Sequence, residues 1–392
     1  MQFQKEEEFN PGSCKSFALI TKIMFIFGVD IRNDVKSSGC KSSKWCFAYQ
    51  RLVALLWILY FFYAILSVIV VDLPSVTRIS EVLPRKLRDV LAFTIWCVLK
   101  IRRRKIIYLL RKIGCLSNNF NVKRRPLWLP FTSVIVLGIP LIGWPLGTWP
   151  FEEHECQMLI QYFSLNFSYV PEGQNCKVLS IIVLLHSLAT LSLKLAFTIL
   201  YVLLSCLLRN ILMLHSKAGA KLLANQSRIL DEKYFKRYLT EYDSVIQVLK
   251  SFETIMSFPV LFVQIYDCMS IFYGIVHLDP IKELSHNNLI EKYFIAIVYA
   301  SSVCLVSFLC VSSSATSVHE ASKRAKDVHE RMFKRSLASE QGIGRVQLAL
   351  LFVNYSTPAF TLSASGLYYF TKPMILAAVG SILTYSLLVM QF

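Results

Sequence analysis

The sequence predicts an all-α membrane protein with seven transmembrane helices. Its N-terminus is expected to be cytoplasmic, its C-terminus extracellular, and its cytoplasmic face to carry a helical domain. Three observations carry this expectation. Of 392 residues, 55% are apolar and only 17% charged, against about a quarter charged in an ordinary soluble domain. The apolar residues gather in stretches that meet the roughly 20 residues a helix needs to cross a bilayer core. The basic residues behind the formal charge of +17 crowd into alternate connecting segments, which is how orientation in a membrane is set.

The N-terminal segment, 1–51, is assigned to the cytoplasm. It opens on Glu6, Glu7 and Glu8, unlike a cleavable signal peptide. Its apolar stretch 17–31 is interrupted by Lys22 and Asp30, and reads as an interfacial or re-entrant helix. Span one, 52–71, and span three, 126–151, carry no charge. Span two, 80–99, takes in Glu81, Arg85, Lys86, Arg88 and Asp89. Glu81, Arg85 and Asp89 fall one turn apart, where opposite charges pair. Span four, 178–208, holds only Lys194, and span five, 254–278, only Asp267. Span six, 293–318, and span seven, 373–392, are uncharged. The remaining uncharged stretch, 346–371, is flecked with Asn, Ser, Thr and Gly, and only Lys372 separates it from span seven. It is expected to be a helix buried in protein on the cytoplasmic side. The resulting organisation is a cytoplasmic segment 1–51, spans one to four within 52–208, a cytoplasmic helical extension 209–253, spans five and six within 254–318, cytoplasmic anchor helices 319–372, and the last span 373–392.

Orientation follows from the charge count. Segments on one side hold 33 Lys and Arg, and those on the other hold 7 beside ten Asp and Glu. The basic side is the cytoplasmic one. Two further marks fall on the expected outside. Asn166-Phe167-Ser168 is a glycosylation sequon, and Cys156 and Cys176 share its loop, where an oxidising exterior would pair them. The sequons at Asn225 and Asn354 would be cytoplasmic and are read as chance.

In 209–253 the residues Leu230, Tyr234, Tyr238, Tyr242, Val245, Leu249 and Phe252 recur at helical spacing, and Val318, Ala321, Ala325, Val328 and Met332 repeat the pattern after span six. Such faces need partners, within the chain or across subunits. No phosphate-binding G-x-x-x-x-G-K-[ST], H-E-x-x-H, Cys-x-x-Cys or G-x-S-x-G is present. The sequence therefore points to no enzyme, no metal site, no cofactor and, with its basic charge read against a membrane, no nucleic acid. In the last span Ser381, Thr384, Leu388 and Gln391 form one stripe. Polar groups there face protein or water rather than lipid. A helix–helix interface and a shared water path both satisfy that.

The C-terminal run Thr384-Tyr385, five mostly apolar residues, then Gln391-Phe392, resembles the insect gustatory receptor signature, and Ser363–Phe370 resembles that family's approach to its last helix. The resemblance implies a homotetrameric, ligand-gated, non-selective cation channel in the plasma membrane of chemosensory neurons. It implies a pore lined by Ser381, Thr384, Leu388, Gln391 and Phe392, with Gln391 and Phe392 as gate. It also implies a shared anchor domain built from the cytoplasmic helices, and a pocket for a small-molecule tastant in the outer half. Trp149, His186, Tyr266, Asp267, Tyr273 and Tyr299 are candidates to line that pocket, since small organic ligands favour aromatic walls with a few polar groups. Asp267 has an alternative role, pairing with Lys194 or Arg88. Subunits could also mix with related receptors. The rival classes are a metabotropic receptor, which wants its N-terminus outside, a secondary transporter, and a structural subunit that responds only with a partner.

Overall fold

A computed structural model describes residues 15–31, 44–72, 79–120, 135–143, 145, 177–224, 232–276, 288–338 and 358–391. The helices are α1 (Lys15–Ile26), α2 (Lys44–Ser67), α3 (Ile79–Asn119), α4 (Lys177–Ser187), α5 (Leu193–Ala224), α6 (Glu232–Val276), α7 (Asn288–Ala338) and α8 (Lys372–Gln391). A short helical segment covers 135–143. Among the described residues four helical stretches are long and apolar enough to cross a membrane: Lys44–Val70, Ile181–Ala224, Arg237–Val276 and Ile295–Arg335. Lys372–Leu388 is a shorter apolar helix. The second expected span lies within the 41 residues of α3, whose apolar part ends at the basic run Arg102, Arg103, Arg104 and Lys105.

α1 ends where Gly28 adopts φ +81°. Gly28 N donates to Phe25 O at 2.9 Å and Val29 N to Met24 O at 3.0 Å, a Schellman cap. A Cβ at Gly28 would come within 2.7 Å of Val53 Cγ1, so only glycine fits this turn. The last carbonyls of α1 are then claimed by neighbours. Tyr49 Oη donates to Ile26 O at 2.6 Å, and the indoles of Trp57 and Trp96 both donate to Phe27 O, at 3.3 and 3.1 Å. The two indoles stack on each other at 5.7 Å. The 17–31 stretch is thus tied into the protein by its own polar ends, while Ile20, Ile23 and Met24 enter the core.

α2 leaves Leu52, Leu55, Leu56, Leu59 and Phe62 exposed. In water that face would be a liability, whereas in a bilayer it meets lipid tails as apolar as itself. α5 and α6 are largely buried and, with one face of α7, form the centre of the bundle, while Val306 and Leu309 of α7 stay exposed. Leu200, Leu204, Leu208, Leu249, Phe252, Met256, Val260, Phe308, Val311 and Ala315 are all fully buried.

α6 has 45 residues and α7 has 51, about 70 and 75 Å at 1.5 Å per residue. Both exceed the roughly 30 Å hydrocarbon core, so their ends project beyond it. The face that the spacing picked out in the sequence is the buried one: Tyr238, Tyr242, Val245, Leu249 and Phe252 on α6, and Val318, Ala321, Ala325 and Met332 on α7. Their partners within the chain include His215 and Gly219 of α5.

The expected helix over 346–371 is corrected where it can be seen. Residues 358–371 are extended and contain a two-stranded antiparallel hairpin, β1 (Ser363–Ala364) and β2 (Tyr368–Tyr369). Ser365 and Gly366 at its tip have φ of 55° and 74°. Two successive positive φ values define the tight hairpin turn and cannot occur in an α-helix. Pro358 and the small polar residues that follow withhold the helical periodicity the uncharged composition suggested. The hairpin docks through polar contacts: Phe360 N donates to Ser322 Oγ at 3.0 Å, Ser363 Oγ to Glu253 Oε1 at 2.6 Å, and Lys372 pairs with Glu320 at 2.6 Å. Residues 346–357 lie outside the described part.

Candidate functional site

Lys194 and Asp267 meet inside the bundle. Their side chains are completely buried, and Lys194 Nζ donates to Asp267 Oδ1. Ser307 Oγ donates to Asp267 Oδ2 at 2.8 Å, Cys304 Sγ lies 3.4 Å from Nζ, and the Tyr266 ring stands 4.9 Å from it. Thr198 Oγ1 completes the group, 3.3 Å from Ser307 Oγ. Each charge thus satisfies the other, with hydroxyl and thiol filling the remaining positions. A buried pair of this kind is a tie between α5, α6 and α7.

A second cluster lies nearer the same end of the bundle. His186 of α4 places Nε2 3.7 Å from Asp89 Oδ1 of α3, and both side chains are partly exposed. The Tyr60 ring of α2 approaches His186 at 5.4 Å, and its buried hydroxyl lies beside the Asp89 carboxylate. The Arg88 guanidinium lies 4.9 Å over the Tyr273 ring of α6. Immediately after His186 the helix widens into a π-turn, Leu188–Ser192, before α5 begins. Such turns re-aim side chains and are frequent at functional sites. Four helices therefore present aromatic faces, a carboxylate, an imidazole and a guanidinium to one partly open region.

The last helix packs one side, Ile375, Ala378, Val379 and Ile382, on the core and buries Ser386. Ser381, Thr384 and Leu388 are exposed on the protomer. Thr384 Oγ1 donates to Gly380 O at 2.9 Å, so its hydroxyl is satisfied within the helix.

A bundle of long apolar helices that holds a polar cluster suits several classes of membrane protein, and comparison with known proteins decides the family. The family model described as 7tm Chemosensory receptor matches residues 101–392. The chain belongs to this family. A comparison with curated proteins returns no match. Among solved structures, this chemosensory receptor is similar to the insect olfactory receptor OR5 from Machilis hrabei, with a TM-score of 0.69, 12% identity, and coverage of 96% of this chain and 97% of the other. It is also similar to that receptor in complex with eugenol, with a TM-score of 0.63, 14% identity, and coverage of 97% and 98%. At such identity the likeness speaks for the fold. The receptor is thus a multi-pass helical membrane protein from a family of receptors rather than enzymes.

Of the residues singled out in the sequence, His186 and Tyr273 fall in the polar cluster of this receptor, while Tyr266 and Asp267 belong to the buried Lys194 group. Tyr299 is elsewhere: its hydroxyl donates to Ile139 O at 2.9 Å, and its ring lies where a Cβ on Gly143 would be 2.9 Å away. Trp149, Asn166, Cys156, Cys176 and Phe392 lie outside the described residues, as does the side chain of Gln391. Sequence reading missed Tyr60, treated Asp89 only as a span-two charge paired along its own helix, and considered Arg88 beyond that only as a partner for Asp267. The available signal was charge inside a span that also has apolar turns, because intramembrane charge marks function by default.

Proposed function

We propose that this receptor is a gustatory receptor: a ligand-gated, non-selective cation channel opened by a small-molecule tastant. The main support is the last helix. It ends in the Thr384-Tyr385…Gln391-Phe392 run and leaves Ser381, Thr384 and Leu388 uncovered on the single subunit. A stripe with hydroxyls on a membrane helix suits a water-lined axis shared by several copies. In this reading four copies, or a mixture with related receptors, place span seven around a pore, with Gln391 and Phe392 as gate. The cytoplasmic ends of α5, α6 and α7 form the anchor, and the N-terminus is cytoplasmic.

The tastant site is the cluster of His186, Tyr273, Tyr60, Arg88 and Asp89, with Trp149 of the same outer region as a further wall. Tyr266 and Asp267 support the site from below through Lys194. The 152–176 loop is extracellular, carries a glycan at Asn166 and is closed by a Cys156–Cys176 bridge. The membrane is the plasma membrane of chemosensory neurons.

Whole-cell recording of the protein expressed alone, under a panel of sugars and bitter compounds, tests the reading. The expected result is a tastant-evoked cation current that persists without G-protein signalling. A current that vanishes when G proteins are blocked, or substrate uptake without current, would overturn it.

A further inference from the structure

α6 contains a proline in mid-helix, Pro259. Proline has no N–H, so the carbonyl of Ile255, four residues earlier, loses its helical donor. In a buried or membrane-level helix that carbonyl needs another partner. It has one. Arg102 of α3 donates from Nη1 to Ile255 O at 2.9 Å and also to Thr254 O at 2.9 Å. Its guanidinium lies 5.0 Å over the ring of Phe258, the residue just before the proline. A lysine lower on α3 makes a second tie, Lys112 Nζ to Ser251 Oγ at 3.4 Å. One side chain thus replaces the missing hydrogen bond, covers the adjacent carbonyl and stacks on the neighbouring ring.

The position gives this contact its consequence. On one side of Pro259, α6 carries Asp267 and Tyr273, the elements beside the polar cluster. On the other side it carries Glu253, which holds the hairpin leading into α8, and Tyr238 and Tyr242 of the projecting bundle. A helix broken at one hydrogen bond can bend there, so the bond that fills the break sets the angle between the two halves.

We propose that Arg102 is a positioning residue for gating, which clamps the Pro259 break of α6 and so transmits movement at the polar cluster to the hairpin and α8. This rests on the channel reading above. Neither residue touches the tastant or the pore; the effect passes through α6.

The partnership makes a specific demand. Arg102 matters because Pro259 lacks an N–H, so restoring that N–H should make Arg102 dispensable. The experiment is a double-mutant cycle with Arg102→Met, Pro259→Ala and both together, with Arg102→Lys as the conservative variant. Tastant-evoked current is compared at matched surface level, and the thermal midpoint of the solubilised receptor is measured beside it. Arg102→Met alone is expected to shift the half-maximal tastant concentration about fivefold, since residues in direct contact couple on that scale. Arg102→Lys, which can still donate to one carbonyl, should recover part of the shift. In the Pro259→Ala background Arg102→Met should shift it less than about twofold. Equal shifts in both backgrounds overturn the clamp. Coupling in the thermal midpoint but none in the current overturns the gating role. Absence of tastant current from the parent chain sinks the channel reading, and registers before any variant is compared.

Discussion

Asp267→Asn is the most informative single change. Its carboxylate is the counter-charge of Lys194, and both side chains have no solvent exposure. Asparagine keeps the shape and an acceptor oxygen for Nζ, but removes the negative charge. Lys194 is then an ammonium in the bundle interior with Cys304, the Tyr266 ring and a neutral amide beside it in place of its counter-charge. Breaking a buried ion pair on one side costs about 3–5 kcal/mol, a large part of a typical 5–15 kcal/mol stability. A loss of about 3 kcal/mol lowers the folded-to-unfolded ratio roughly a hundredfold. The expected outcome is a receptor that fails to reach the surface, measured by surface biotinylation against total protein. The double replacement Lys194→Met with Asp267→Leu removes both charges and should restore much of the surface level, because apolar isosteres of a buried pair are often neutral or stabilising. Normal surface expression of Asp267→Asn with a shifted tastant dose–response would falsify this reasoning and put the carboxylate in contact with the ligand.

His186→Ala removes the imidazole between Asp89 and Tyr60, and should shift the half-maximal tastant concentration about tenfold at unchanged surface level; an unchanged dose–response removes His186 from the site. His215 and His329 pack against Tyr238 and Tyr242, with the His215 ring stacked 4.0 Å from that of Tyr238. Burial holds both imidazoles near 4, with the neighbouring His329 charge adding to the effect on His215 and Glu330 opposing it at His329. An unfolded histidine titrates near 6.5, so between about 6.5 and 4 the unfolded chain takes up protons the folded one refuses, and stability falls as pH drops through that window. Each site withdraws at most about 3 kcal/mol; the thermal midpoint should therefore drop between pH 7.5 and 5, and drop less in His215→Phe, while a flat midpoint contradicts it. At the proposed gate, Phe392→Ala should produce leak current without tastant and Gln391→Ala a changed conductance or selectivity; unchanged currents at normal surface level place the pore elsewhere.

Much of the architecture was legible in one dimension. A bilayer imposes length and apolarity on each crossing, so the stretches at 52–71, 178–208, 254–278 and 293–318 announce their helices without any knowledge of neighbours. The projecting faces were legible too, since Tyr238, Tyr242, Val245, Leu249 and Phe252 follow helical periodicity whatever they pack against. Composition misled at 358–371. An uncharged run resembles a helix on a hydropathy scale, whereas Ser365 and Gly366 specify a turn by backbone sterics that such a scale does not contain.

Pairing was the part that only the folded chain decided. The sequence by itself determined that Lys194 and Asp267 are lone charges in apolar stretches long enough to span a membrane, and that each needs a compensating group. It left Asp267 open between ligand, Lys194 and Arg88, because 73 residues separate the partners and helix spacing says nothing about which faces meet across a bundle. The fold joined Asp267 to Lys194, sent Arg88 to Tyr273, and brought Asp89 beside His186. Likewise Pro259 announces a break in α6 from its chemistry alone, but that Arg102 fills it depends on α3 lying alongside at a register fixed by packing. Local and solvent-imposed constraints act along the chain and can be read there. Which distant charge or donor answers a buried demand is settled by three-dimensional packing, since the energetic cost of an unpaired group fixes only that some partner must be found.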